Sequence, residues 1–238
     1  MEISNEFKFN KSFENNKLDY VKIEKFLDYD SINKIRNVIV NFIKNENIYN
    51  KLNSKIDFIK DENYFINNEK KIISNVYSFN DKLIPTISNR YNKSGIDDGI
   101  IDIFKPFTLL PILNNYINIK LIELLVTKLY KKKYEIFSCK ILIQNNVINP
   151  TKFLKKKYGN NIIKFNIFLN DIQNLKDGPY VLIKNSDKDD YKINENDIEI
   201  IYGNIGDVLI YNTSIFRKRL KQYNKKCNIY ISFLLKEM

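Results

Sequence analysis

The chain has 238 residues, 44% hydrophobic and 13% aromatic, which is enough apolar surface for one sizeable core and excludes wholesale disorder. It carries a formal net charge of +11 and contains no histidine, no tryptophan and no alanine. The missing imidazole excludes Ser–His and Cys–His nucleophilic pairs, and no uninterrupted apolar stretch reaches the roughly 18 residues of a membrane span.

In chain order, residues 1–18 are polar and Asn-rich, an extended or poorly ordered lead-in without the apolar run of a signal peptide. Residues 20–23 form a short strand, Phe26-Leu27 follow, and Asp30 or Ser31 offers an N-cap. Ile32, Ile35, Val38, Ile39, Phe42 and Ile43 repeat at helical spacing, and this stripe ends at Lys44-Asn45-Glu46-Asn47. Residues 51–105 hold short apolar runs (Ile72-Ile73, Val76-Tyr77) and read as loops with short helices and strands. Pro106 and Pro111 bracket a short segment. Asn118 caps a helix running to about Tyr130, and Lys131-Lys132-Lys133 suit the negative end of its dipole.

The pattern then turns to strands, at 134–144, 162–169, 180–183, 198–202, 208–212 and 228–235. The polar turn Asp177-Gly178-Pro179 joins the second to the third, an antiparallel pair if it closes as a hairpin. Helices first and strands later, with no βαβ alternation, give an α+β class with an antiparallel sandwich or barrel core. The chain reads as one domain over 1–238, with 19–133 mainly helical and 134–238 the β core. Cys139 and Cys227 stand in no metal-spaced pair and read as free thiols in a reducing compartment, so the expected location is the cytoplasm.

Four segments in order resemble the phytanoyl-CoA dioxygenase-like branch of the iron(II)/2-oxoglutarate oxygenases. They are Tyr20 through Phe26-Leu27 into the Ile32 stripe, Phe165 to Asp171, Asp177-Gly178-Pro179-Tyr180 with Asn185-Ser186, and the Gly206-Asp207-Val208-Leu209-Ile210-Tyr211-Asn212-Thr213 strand. The resemblance implies a double-stranded β-helix (jelly-roll) core with flanking helices from the N-terminal part. It also implies an iron held by two imidazoles and a carboxylate, with positions open for 2-oxoglutarate and oxygen. In this sequence the His-x-Asp place falls in Phe153-Leu154-Lys155-Lys156-Lys157, and the second His falls at or beside Arg217. The Arg that clamps 2-oxoglutarate falls near Lys226-Cys227, and the His after Gly-Ser is Asp187. Ammonium and guanidinium groups have no lone pair for a metal at neutral pH. Asp171, Asp177 or Asp187 would have to assemble an all-oxygen site elsewhere.

On this resemblance Lys155, Lys156, Lys157, Arg217, Arg219 and Lys226 converge on the barrel mouth as a cationic pocket for a phosphate, sulfate, carboxylate or anionic glycan. The alternative leaves them splayed into water over a pocket plugged by Phe153, Leu154 and Phe216. The first functional reading is therefore a non-catalytic binding or scaffolding module with no metal and no cofactor. The second is a dioxygenase with an unconventional metal site, using iron(II) and 2-oxoglutarate. The third is a structural jelly-roll that assembles into a symmetric oligomer. The lysines are spread along the chain as AT-rich coding would leave them, so the charge fits diffuse solvation or, with Tyr158 and Tyr223 for stacking, nucleic acid. Gly203-Asn204-Ile205-Gly206 opens no helix and is a turn between strands, not a phosphate loop.

Overall fold

The computed structural model describes residues 9–14, 17–45, 74–77, 87–91, 97–145, 162–187, 191–223 and 227–238. The strands are β1 (Phe9–Glu14), β2 (Lys17–Ile23), β3 (Ser74–Tyr77), β4 (Ile87–Tyr91), β5 (Asp97–Phe104), β6 (Tyr134–Asn145) and β7 (Ile162–Phe168). They continue with β8 (Tyr180–Ile183), β9 (Ile198–Ile201), β10 (Val208–Asn212), β11 (Arg217–Arg219) and β12 (Cys227–Glu237). The helices are α1 (Tyr29–Asn45), α2 (Pro106–Leu109) and α3 (Ile119–Tyr130).

Two sheets result, with antiparallel pairing throughout. One has nine strands in the order β1-β2-β10-β7-β12-β6-β5-β4-β3, and the other has three in the order β11-β8-β9. The large sheet is buried on both faces at its centre, which is why its strands read as continuous apolar runs. On one face Ile163, Phe165 and Ile167 of β7, Val208 and Ile210 of β10 and Ile229, Ile231 and Phe233 of β12 join a core with Ile32, Ile35 and Ile39 of α1 and Ile122 and Leu125 of α3. On the other, Phe168, Leu209, Tyr211, Leu142 and Tyr230 meet Tyr180, Leu182 and Ile201 of the small sheet. The period-2 alternation of each strand thus sorts its side chains into two cores.

The helix expected over the Ile32 stripe is α1, but its start is held by Asp28 rather than Asp30 or Ser31. The Asp28 carboxylate accepts from the Ser31 N–H at 2.8 Å and from its hydroxyl at 2.7 Å. Asn118 does cap α3, its Oδ1 accepting from the Leu121 N–H at 3.1 Å. The lead-in is structured where it is described: β1 pairs antiparallel with β2 and extends the large sheet by an edge strand. The described residues of 19–133 hold α1, α2 and α3 and also strands, since β3, β4 and β5 lengthen the sheet beyond β6. Their short, polar-interrupted runs carry little periodicity, and pairing with the next strands along the chain fixes them.

The hairpin expected across Asp177-Gly178-Pro179 does not form: β7 lies in the large sheet and β8 in the small one. The buried Asp177 carboxylate accepts from the Gln173 and Asn174 N–H groups at 2.8 and 3.1 Å, and Gly178 turns the chain at φ +72°. These bonds close a compact corner that carries the chain between layers. Gly203–Gly206 is the expected turn, between β9 and β10. Gly206 has φ +89°, and a Cβ there would lie 2.5 Å from the Leu27 carbonyl oxygen. Glycine is needed for both the conformation and the close approach.

Candidate functional site

β11 is the strand that the sequence reading missed as a strand, although two of its residues were singled out. Arg217 pairs with Leu182, Lys218 with Val181 and Arg219 with Tyr180. Leu182 and Tyr180 belong to the inter-sheet core, so strand alternation sends Arg217 and Arg219 to that side and Lys218 to the other. The register therefore brings two guanidinium groups to the interior of a sandwich.

Each lies against buried aromatic rings. The Arg219 guanidinium carbon sits 4.5 Å from the Tyr180 ring centroid and 5.1 Å from that of Tyr230, and Nη2 donates to the Tyr180 hydroxyl. Arg217 lies 5.6 Å from the Tyr211 ring, and its Nη1 donates to the Thr213 carbonyl at 2.7 Å. The rings themselves are packed: Tyr180 meets Tyr230 edge-on at 5.7 Å, and Phe168 meets Tyr230 at 5.3 Å. Rings held this firmly give the two half-buried cations a rigid seat, and cation–π contact offsets part of their desolvation.

The same space holds polar atoms that the fold leaves without well-aligned partners among the described residues. They are the Tyr211 and Tyr230 hydroxyls, Asn166 Nδ2 and Gln144 Oε1. Asn166 stands between Leu209 and Ser232 in the cross-strand row and accepts from the Ser232 hydroxyl at 2.7 Å, with its amide nitrogen toward Tyr211. Burial pushes the Tyr211 and Tyr230 phenols well above their ordinary range, against the opposing pull of the nearby arginines, so both stay neutral donors. Buried polar atoms of this kind are rare in a finished fold and point to a missing partner.

The other positions named by the resemblance divide. Lys155, Lys156, Lys157, Lys226, Phe153, Leu154 and Tyr158 lie outside the described residues. Phe216 is half-buried and immediately precedes β11, its carbonyl accepting from the Ile183 N–H at 2.9 Å. Asp171 is exposed and accepts from the Ile205 N–H at 2.7 Å, while Asp177 holds the corner. Asn185-Ser186 is structural: the buried Ser186 hydroxyl donates to the Ile183 carbonyl at 2.6 Å and accepts from the Phe216 N–H at 2.7 Å. Asp207 of the Gly-Asp strand is also structural, accepting from the Lys25 and Asn204 N–H groups and from Lys22 Nζ at 3.1 Å. Sequence reasoning quoted Tyr180 and Tyr211 within motifs but gave no role to them, to Tyr230 or to Asn166. Tyrosine is abundant here, and only the strand alternation marks these as inward.

A His-carboxylate metal centre does not fit these residues. The chain has no histidine, the position expected for the second imidazole is Arg217, and no cluster of three His, Cys, Asp or Glu occurs among the described residues. On the same side as the Arg219 guanidinium lie the Tyr211 and Tyr230 phenols and the Asn166 amide, donors of the kind that a carboxylate accepts from.

No family model matches the chain, and no curated protein matches it. Solved structures do. The non-heme alpha ketoglutarate dependent carbocyclase SnoK from nogalamycin biosynthesis is 11% identical with TM-score 0.57, the match covering 92% of this chain and 79% of that one. AviO1 from Streptomyces viridochromogenes Tue57 is 10% identical with TM-score 0.61, over 92% and 90%. HygX from Streptomyces hygroscopicus, solved with nickel and 2-oxoglutarate bound, is 9% identical with TM-score 0.54, over 92% and 83%. At such identities the likeness is one of fold: this chain shares its fold with these three proteins.

Proposed function

We propose that the inter-sheet space around Arg219 binds a small carboxylate-bearing anion, of the class to which 2-oxoglutarate belongs, and that the chain works as a binding module without iron-centred chemistry. The observation that carries this is a guanidinium seated over Tyr180 and Tyr230, beside the buried Tyr230 hydroxyl that has no well-aligned partner among the described residues. Arg219 would engage the carboxylate in a charge-assisted pair, and the Tyr211, Tyr230 and Asn166 donors would fix its orientation. In the finer reading, β6, β12, β7 and β10 facing β8, β9 and β11 are the layers of a double-stranded β-helix. The chain is then a phytanoyl-CoA dioxygenase-like member, with Lys155, Lys156, Lys157 and Lys226 around the mouth. What supports this reading is the order of the strands and the motifs along them.

The fold neighbours named for 2-oxoglutarate favour a second reading, a dioxygenase with an unconventional metal site. Iron would there supply oxygen activation, and its ligands would have to be oxygens or thiolates. Thermal shift with succinate, 2-oxoglutarate and phosphate, on the native chain and on Arg219→Gln, tests the binding proposal. Stabilisation by a carboxylate that the variant loses is the expected result. A shift of about 2.7 kcal/mol accompanies a hundredfold excess over Kd. Equal shifts for both proteins would remove Arg219 from the site.

A further inference from the structure

A cavity lies on the other side of the large sheet, away from Arg219. It is a groove of about 520 Å³ between one edge of α1 and the start of β12, with the turns after β7 and before β10. Tyr29, Arg36, Val40, Ile43 and Lys44 of α1 form one wall, and Asn170, Asp171, Ile205, Cys227 and Ile229 the other. Its floor is apolar, because Val40, Ile43, Ile205, Cys227 and Ile229 all border the helix–sheet core.

The polar groups on the groove are asymmetric. Arg36 and Lys44 stand eight residues apart on the helix, about 12 Å at roughly 1.5 Å per residue. Ion pairs among the described residues are made by other cations, including Lys22, Lys132 and Lys140. The one acid among the described residues of the lining, Asp171, is already bonded to the Ile205 N–H. Among the described residues of the lining, two cations therefore stand against one acid over an apolar floor. The groove's volume is that of a small-molecule site, about 300–1,000 Å³.

The geometry points to a binding site for an amphiphilic monoanion, an alkyl chain ending in a carboxylate, lying along Val40 and Ile43 with its head on Arg36 or Lys44. Apolar burial would hold the chain, and the cations would select the charge of its head. This site shares no residue with the one around Arg219, and either can fail without the other.

Cys227 supplies a local readout, because its half-buried thiol lines the groove. The native protein is treated with iodoacetamide, and labelling of Cys227 and Cys139 is followed separately by peptide mapping. Dodecanoate, dodecanol and dodecyltrimethylammonium are compared below their micelle concentrations. Dodecanoate is expected to slow labelling of Cys227 but not of Cys139, and the other two to give little protection. Arg36→Gln with Lys44→Gln, both on the outer part of α1, should raise the dodecanoate concentration for half-protection about tenfold or more, the loss of a charge-assisted contact. Equal protection by all three amphiphiles, protection of both thiols, or no protection would overturn the proposal.

Discussion

Replacing Asp207 by Asn keeps the size of the side chain and removes its charge, at a position that joins three parts of the chain. The carboxylate is 1% exposed and accepts from the Lys25 N–H at 3.1 Å, the Asn204 N–H at 2.8 Å and Lys22 Nζ at 3.1 Å. An amide turns one of its two acceptors into a donor aimed at another donor, whichever way it is oriented. A hydrogen bond to a charged group contributes about 1.5–3 kcal/mol, and removing one partner of a buried pair costs about 3–5 kcal/mol. Lys22 retains some water contact at 16% exposure, which places the cost at the lower end, about 3 kcal/mol. For a chain of this length that corresponds to a fall in Tm of about 6–12 °C. Urea unfolding should show a lower midpoint with an unchanged slope. Lys22→Met should cost less, because Asp207 keeps both backbone donors, and the double variant should reveal coupling of about 1–3 kcal/mol. A cost for Asp207→Asn under about 1 kcal/mol, or additive single changes, would refute this reasoning.

Other expectations follow from the same geometry. Gly206→Ala places a Cβ 2.5 Å from the Leu27 carbonyl at φ +89° and should destabilise by about 2 kcal/mol or more in equilibrium unfolding. Ser186→Ala leaves the Phe216 N–H without its acceptor and should cost about 1–3 kcal/mol, where a neutral result would deny the hydroxyl its bridging role. Alkaline pH should destabilise the fold. Burial pushes the Cys227 thiol up to about 11, against the opposing pull of Arg36, and the Tyr134 phenol up to about 12, with Tyr130, Tyr211 and Tyr230 higher. A raised pKa means that the folded state holds the proton longer, so this stability is full below the ordinary values and lost as pH rises through the folded ones. Urea midpoints should hold steady to about pH 9 and fall from there upward, and a midpoint that rises over that range would contradict the assignment.

Much of the fold was legible because local chemistry and tertiary structure agree. The Ile32–Ile43 stripe is α1, Asn118 caps α3, and the strands at 180–183 and 208–212 keep their bounds. What was not legible depends on which strand meets which. Asp177-Gly178-Pro179 has the residues of a hairpin turn, and only the position of β8 in the second sheet makes it a corner between layers. β11 is three residues of alternating cation, Arg217-Lys218-Arg219, with no apolar signal, and its pairing with β8 alone turns two arginines inward. Residues 74–104 lack strong periodicity because their strands are ordered by neighbours in the sheet. The Gly206-Asp207 and Asn185-Ser186 motifs were legible as a resemblance, and the structure gives them a mechanical basis in turn geometry and buried hydrogen bonds.

The central claim is that Arg219 holds a carboxylate with no metal involved. Calorimetric titration of 2-oxoglutarate into the native chain, with a chelator and again with iron(II), tests it most directly. The account expects saturable binding in chelator, an affinity that iron leaves unchanged, and a loss of about tenfold or more in Arg219→Gln. Binding that appears only with iron, accompanied by conversion of 2-oxoglutarate to succinate, would contradict it and establish the dioxygenase reading in its place.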